Sequence, residues 1–323
     1  MKPLRDYFNG CCLGVGLAVC CGMATSVSAD CGSIPFSAPL SAPGTIVLDL
    51  LDSKDYDVKV NPLNVVVYEP GQRAIVLWNG VEEILLLSTE IRTSKPTSIL
   101  EVIPMPAEPE VKLGNFESFE KMQKLLVEKT MWKVASGGGI PGIKAPENAG
   151  KITFHERMGA HDLAVVEVLD SAYFSEWVLE FLAKKGATQA DMPDEFLTII
   201  DNYLDRGFKW FVFDVIETSD KVQSRQPVQY RFKTDSLFYP LEISTLEKGK
   251  TSIDLLLVTQ TELSDYPVVK ASMRRDDAFT ASLTDIQDVS PEWAQLMASP
   301  SVTIQRVGIK GKLGKMKTDF VAR

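Results

Sequence analysis

The sequence predicts an α+β protein: mixed, largely antiparallel sheets with three main helices, arranged in up to two lobes. Three observations carry that prediction. Its segments run strands, helix, strands, two helices, strands, which is not the strict alternation of a doubly wound parallel sheet. An Asn79-Gly80 pair between two apolar, strand-like runs marks an antiparallel hairpin. No period of roughly 20–50 residues repeats along the chain, which excludes a solenoid.

The elements follow in chain order. Residues 1–29 have the layout of a secretory signal peptide. Lys2 and Arg5 come first, then an uncharged run of 14 residues from Cys11 to Ala24, then Val27-Ser28-Ala29 at the cleavage position. The run is shorter than the roughly 20 residues a bilayer-spanning helix needs, so cleavage leads and a retained anchor is the alternative. A lipoprotein needs a small residue directly before its cysteine, whereas Asp30 precedes Cys31 and Val19 precedes Cys20. Removing 29 of 323 residues leaves 294 and takes away four of the five cysteines. It also moves the formal charge from −9 to −10. Cys31 is then the one thiol, so no internal disulfide forms. A chain of this length buries roughly three quarters of its unfolded surface and needs no staple.

Residues 30–44 are rich in Pro, Ser, Ala and Gly and read as an extended lead-in. Residues 45–135 read as an N-terminal β-rich lobe with one helix. Its hairpin runs from Gln72 to Trp78 and back from Val81 to Leu87, with Val65–Tyr68 beside it. A strand from Ser98 to Ile103 is expected to stop at Pro104, Pro106 and Pro109, because proline removes a donor and restricts its predecessor. A helix from Asn115 to Val134 places Phe116, Phe119, Met122 and Leu125 on one face. Residues 136–150 form a Gly/Pro linker.

Residues 151–305 read as a C-terminal α+β lobe. It opens with strands over 151–157 and 162–169. One helix carries Phe174, Trp177, Val178 and Phe181 and stops at Gly186. The next starts near Pro193, carries Phe196, Ile200 and Tyr203, and stops at Gly207, as left-handed caps require. Strands resume at 209–216, 228–233, 241–244 and 253–259. A short helix begins at Ser290-Pro291, and a strand spans 302–307. Residues 306–323 read as a solvated basic tail of net charge +5 on a body of −15.

Composition narrows the function classes. A hydrophobic fraction of 45% with aromatics throughout excludes disorder. The acidic balance argues against a general nucleic-acid binder. No second apolar run of membrane-spanning length follows the signal.

Several motifs stand in a recognisable order. Cys31-Gly32 follows the signal, then Gln72-Arg73-Ala74-Ile75 with Trp78 and Gly80, then Val102-Ile103-Pro104-Met105-Pro106-Ala107-Glu108-Pro109-Glu110-Val111. Gly159-Ala160-His161-Asp162-Leu163 comes next, then Trp177, Gly186, Tyr203, Gly207 and Tyr239-Pro240-Leu241. Over about residues 31 to 245 this resembles a bacterial exported family catalogued as domain of unknown function 2330. The resemblance implies an exported bacterial protein and brings no catalytic residues with it.

The residues that could carry chemistry are few. His155-Glu156-Arg157-Met158-Gly159-Ala160-His161 holds both histidines, six apart, where a zincin helix needs four. Across a hairpin turn, His155, Glu156, His161 and Asp162 offer nitrogen and oxygen ligands to a metal; the plainer alternative is two polar residues flanking an exposed turn. Gly137-Gly138-Gly139-Ile140-Pro141-Gly142 matches Gly-x-Gly-x-x-Gly but follows a helix and is broken by prolines, against the strand–turn–helix a dinucleotide needs. No phosphate loop or nucleophile elbow is present. Cys31 lies on a flexible lead-in, a poor support for a nucleophile, and reads as a free thiol. Asp201, Asp205, Asp214 and Glu217 are an unresolved set of carboxylates.

Two functions fit. The first is a non-catalytic exported envelope protein with no cofactor, binding an unidentified protein or small molecule through sheet edges and loops, with 104–109 and 136–148 as shaped elements. The second is a metal-assisted hydrolase built on His155, Glu156 and His161.

Overall fold

The computed structural model of the chain describes residues 32–37, 59–60, 63–136, 161–190, 192–247 and 249–323. Its elements are β1 (Gly32–Ser37), β2 (Lys59–Val60), β3 (Val67–Trp78), β4 (Glu82–Thr93), β5 (Thr97–Met105), β6 (Glu110–Leu113), α1 (Phe116–Ser136), β7 (Asp162–Glu167), α2 (Ser171–Lys184), β8 (Gln189–Ala190), α3 (Asp194–Asp205), β9 (Trp210–Thr218), β10 (Gln223–Ser224), β11 (Val228–Lys233), β12 (Leu237–Tyr239), β13 (Lys250–Thr259), β14 (Ser272–Arg275), β15 (Phe279–Ser282), α4 (Leu283–Val289), α5 (Pro291–Met297), β16 (Ser301–Lys312) and β17 (Phe320–Ala322).

The fold is α+β. A large sheet has the order β14-β16-β13-β3-β4-β11-β6, with β10 beside β4 and β15 beside β16. A small sheet has the order β2-β8-β1-β5-β9-β7. Most neighbours are antiparallel; β3 and β13 run parallel. Side chains alternate between the faces of a strand, and that alternation builds four layers. Ala74, Val76 and Leu85 of the large sheet meet Ile103, Met105 and Val212 of the small one in a core between the sheets. The outer face of the small sheet, with Leu100, Phe211 and Phe213, packs on Phe174, Val178, Phe196 and Ile200 of α2 and α3. The outer face of the large sheet, with Ile75, Leu77, Ile84 and Leu86, packs on α1, α4 and α5 through Phe119, Met122 and Trp293.

Both sheets draw strands from either side of residues 136–150, so that segment does not separate two sheets. The hairpin forms, one residue out of the expected place. Asn79 N–H donates to the Glu82 carbonyl at 3.2 Å, which leaves Gly80-Val81 as the two-residue loop. Gly80 takes φ +98, a backbone conformation that favours glycine, while Asn79 Oδ1 accepts from the N–H groups of Val81 and Glu82.

Both left-handed glycine stops, Gly186 and Gly207, are observed. After them Ala187 N–H bonds back to Leu182 O and Phe208 N–H to Tyr203 O, closing the helix ends.

Four local expectations are corrected. The strand β5 runs through Pro104, which stands opposite Phe211. Among the described residues β1 pairs with β5 as far as Val102. Pro104 and Pro109 are buried, Pro106 and Ala107 are half-buried, and Glu108 is exposed. Part of the lead-in is the inner strand β1, with Ile34 and Phe36 fully buried. A Cβ at Gly32 would lie 2.7 Å from the Phe196 ring, so the glycine of the Cys31-Gly32 pair admits the helix layer. Residues 241–244 enter a 3₁₀ turn, not a strand, because Asp319 captures the N–H groups of Leu241 and Glu242.

The fourth correction concerns the basic tail. Residues 306–312 complete β16 and 320–322 form β17, paired with β12. Every second residue there is apolar, and Val307, Ile309, Leu313, Met316 and Phe320 are buried in the core between the sheets. Charge density at alternate positions hid a strand whose other face is apolar.

Candidate functional site

Two strands of the small sheet carry a carboxylate in the middle of an apolar run: Glu101 in Ile-Leu-Glu-Val-Ile and Asp214 in Phe-Val-Phe-Asp-Val-Ile. Period-two alternation places both on the face toward the large sheet, and the register sets them directly opposite each other. Two like charges facing across a ladder are unfavourable and need a counter-ion. It comes from the large sheet. Arg225, between β10 and β11, donates from Nη1 to Glu101 Oε2 and from Nη2 to Asp214 Oδ2 at 2.5 Å.

His161, at the start of β7, completes the cluster. Its Nδ1 lies 2.5 Å from Asp214 Oδ2 and its Nε2 lies 2.9 Å from the Gln226 carbonyl oxygen. Arg225 Nη2 lies 2.6 Å from the same Nδ1, so that nitrogen sits between the Asp214 carboxylate and the guanidinium. The backbone N–H of Asp162 donates to Asp214 Oδ1 at 3.1 Å, and Lys185 holds the Asp162 carboxylate beside the Phe181 ring.

The four side chains are 2–4% exposed. Burial pushes the Asp214 carboxyl up, but the Arg225 charge and the His161 and Arg225 hydrogen bonds outweigh it and hold it below the usual carboxylate range. Burial disfavours the Arg225 cation, yet Glu101 and Asp214 raise its basicity above that of a free guanidinium. The space beside the cluster is about 10 Å³, room for one water and no substrate. Glu101 Oε1 faces that interior with no hydrogen-bond partner.

Of the sequence candidates, His161 and Asp214 come together, while Asp201, Asp205 and Glu217 are exposed elsewhere. Cys31, His155, Glu156 and the glycine-rich 137–142 lie outside the described residues. Both His161 nitrogens lie against other groups, Nδ1 at Asp214 and Nε2 at the Gln226 carbonyl. Among the described residues no group of three His, Cys, Asp or Glu side chains could hold a metal ion. Arg225 and Glu101 were missed. Glu101 has one local signal, a charge inside an apolar strand, which predicts a buried partner without naming it; Arg225, in the polar run Gln-Ser-Arg-Gln-Pro, has none.

A second concavity is open. Between β14 and β15 the chain spends three residues, 276–278, against two on β16, and the resulting bulge shapes a groove of about 730 Å³. Glu262, Met273, Arg274, Arg275, Asp276 and Gln305 line it. Arg275 stacks on the Tyr266 ring at 4.3 Å, and Arg274 Nε meets Asp276 Oδ1 at 3.0 Å.

The sequence profile described as "Uncharacterized protein conserved in bacteria (DUF2330)" matches residues 60–323. The chain belongs to this family. The match spans every strand of the large sheet, so Arg225, Asp214 and Glu101 of this DUF2330 protein all fall inside it. No curated protein matches the DUF2330 chain. Among solved structures it is similar to the crystal structure of baculovirus P35, at 9% identity over 80% of this chain and 95% of that one; the TM-score of 0.35 is too low to carry fold or function across.

Proposed function

We propose that this DUF2330 chain is an exported bacterial envelope protein that works by binding a protein or small molecule, not by turnover. The observation that carries this reading is the commitment of His161. Its two nitrogens lie against Asp214 and the Gln226 carbonyl, and Asp214, Glu101 and the only buried arginine among the described residues bond to one another in a narrow buried seam. A general base must reach the proton it abstracts, and about 10 Å³ admits no substrate. Polar, accessible concavity lies instead at the β14–β15 groove. Export is supported by the signal-like residues 1–29.

Fractionation of cells producing the whole chain tests the address: the protein is expected outside the cytoplasm, shortened to begin at Asp30. Retention in the cytoplasm at full mass overturns it. A photo-crosslinker at Met273 tests the groove, with a discrete adduct expected in intact cells and lost on Arg274→Ala with Arg275→Ala. A hydrolytic turnover abolished by His161→Gln in folded protein overturns the binding reading.

A further inference from the structure

Half of the large sheet's outer face, which no described helix covers, carries exposed lysines in an acidic protein. By register, Lys250, Ser252 and Asp254 of β13, Gly308, Lys310 and Lys312 of β16, and Ser272 and Arg274 of β14 share the face that carries Val258, Val302 and Ile304 further along. The helices α1, α4 and α5 cover the apolar end only. At the other end Gly308 sits with open space above it, and Lys310 stands between Ser252 and Ser272.

Among the described residues the arginines are paired, whereas the lysines gathered at this end are not. Each described arginine has a carboxylate or an aromatic ring: Arg306 takes Asp254 at 2.7 Å, Arg73 takes Glu90, Arg231 takes Glu82, and Arg92 and Arg275 lie over Tyr68 and Tyr266. Lys250, Lys270, Lys310, Lys312, Lys315 and Lys317 are all exposed and have no ion-pair partner among the described residues. Lys250 and Lys312 even stand directly opposite each other, an arrangement that costs stability. Beside this cluster, two residues before Lys270, Val268 is 89% exposed at the tip of the loop leading into β14.

We propose that this face docks on an anionic lipid bilayer. A shallow sheet surface with a glycine at its centre suits a planar partner. Lysines serve as point charges for loosely ordered headgroup phosphates, where arginine forks suit fixed bidentate partners. An apolar side chain flanked by lysine inserts at the boundary between headgroup and acyl chain. The inference rests on the lysines, none of which lines the groove, although Arg274 belongs to both surfaces.

The test is flotation of the full chain with vesicles of phosphatidylcholine containing about one third phosphatidylglycerol, against pure phosphatidylcholine. Binding to the anionic vesicles is expected, weakened by added salt. Each lysine removed lowers partitioning about fivefold, so Lys310→Gln with Lys312→Gln lowers it about 25-fold. Because the variant keeps residues 1–29, the comparison separates the face from any binding by the signal. Val268→Ser is expected to weaken anionic-vesicle binding without changing its salt dependence. Unchanged thermal melts show that the variants fold. Equal binding of wild type and the double variant overturns the proposal, as does binding of inorganic polyphosphate with no binding of the anionic vesicles.

Discussion

Glu101 and Asp214 face each other across β5 and β9, and Arg225 from the opposite sheet bonds to both. One guanidinium thereby ties the two sheets together at a point where apolar packing alone would leave two carboxylates buried side by side.

Removing that guanidinium uncovers both charges. Arg225→Met is expected to destabilise the fold by about 3–5 kcal/mol, read from urea midpoints near neutral pH. Replacing Glu101, Asp214 and Arg225 together with apolar residues of similar volume recovers most of the loss, because no uncompensated charge remains. A single-variant cost under about 1 kcal/mol would contradict the seam.

The seam weakens in acid. The folded-state value of Asp214 lies below its ordinary value of 3.8. Its stabilisation is therefore present above that value and is lost as pH falls through the folded one. The stability gap between wild type and Asp214→Asn should be widest near neutral pH and shrink toward about pH 3. A gap that stays constant with pH would show that the charge contributes nothing.

Glu83 has the opposite sign. It is fully buried between Trp78 and Phe232 on the neighbouring strands, and accepts the Phe238 N–H at 2.7 Å. Burial pushes its carboxyl well above the ordinary value of 4.5, against a smaller lowering by that bond. The contribution of the neutral group is fully present below 4.5 and is lost as pH rises from there toward the folded value. Glu83→Gln should match wild type near about pH 4 and become the more stable protein by about pH 8. Parallel stability curves over that range would refute a neutral Glu83.

The C-terminal strand is fastened by Asp319. Its carboxylate accepts from Tyr203 Oη at 2.7 Å, from Leu241 N–H at 2.9 Å, from Glu242 N–H at 3.0 Å and from Arg206 Nη1 at 2.9 Å. Asp319→Ala should cost about 3 kcal/mol or more, since buried donors lose their acceptor, while Tyr203→Phe should cost about 1 kcal/mol. Calorimetric melts of both variants provide the comparison. Equal small losses would mean that the carboxylate is not the anchor.

Local physics was readable in order. Apolar periodicity located α1, α2 and α3, glycine chemistry placed their ends at Gly186 and Gly207, and the Asn79-Gly80 pair announced β3 and β4. The same reading passed over α4, whose seven residues carry too short a pattern, although its Ser282–Asp285 capping box is a local signal. It mistook the second half of β16, and β17, for a solvated tail, because six basic residues masked an apolar stripe of period two.

The α+β class, the family motifs and the hairpin rest on neighbours a few residues apart, and such contacts are written into consecutive side chains. The division of strands between sheets rests on pairings such as β3 with β13, far apart in the chain, where register follows from which faces find a common core. The fate of His161 was settled in the same way. Its neighbours in sequence offered a metal-ligand pattern, whereas its neighbours in space are Asp214, 53 residues on, and Arg225, 64 residues on. Burying a carboxylate demands a counter-charge, and only the packing of one sheet on the other selected which one.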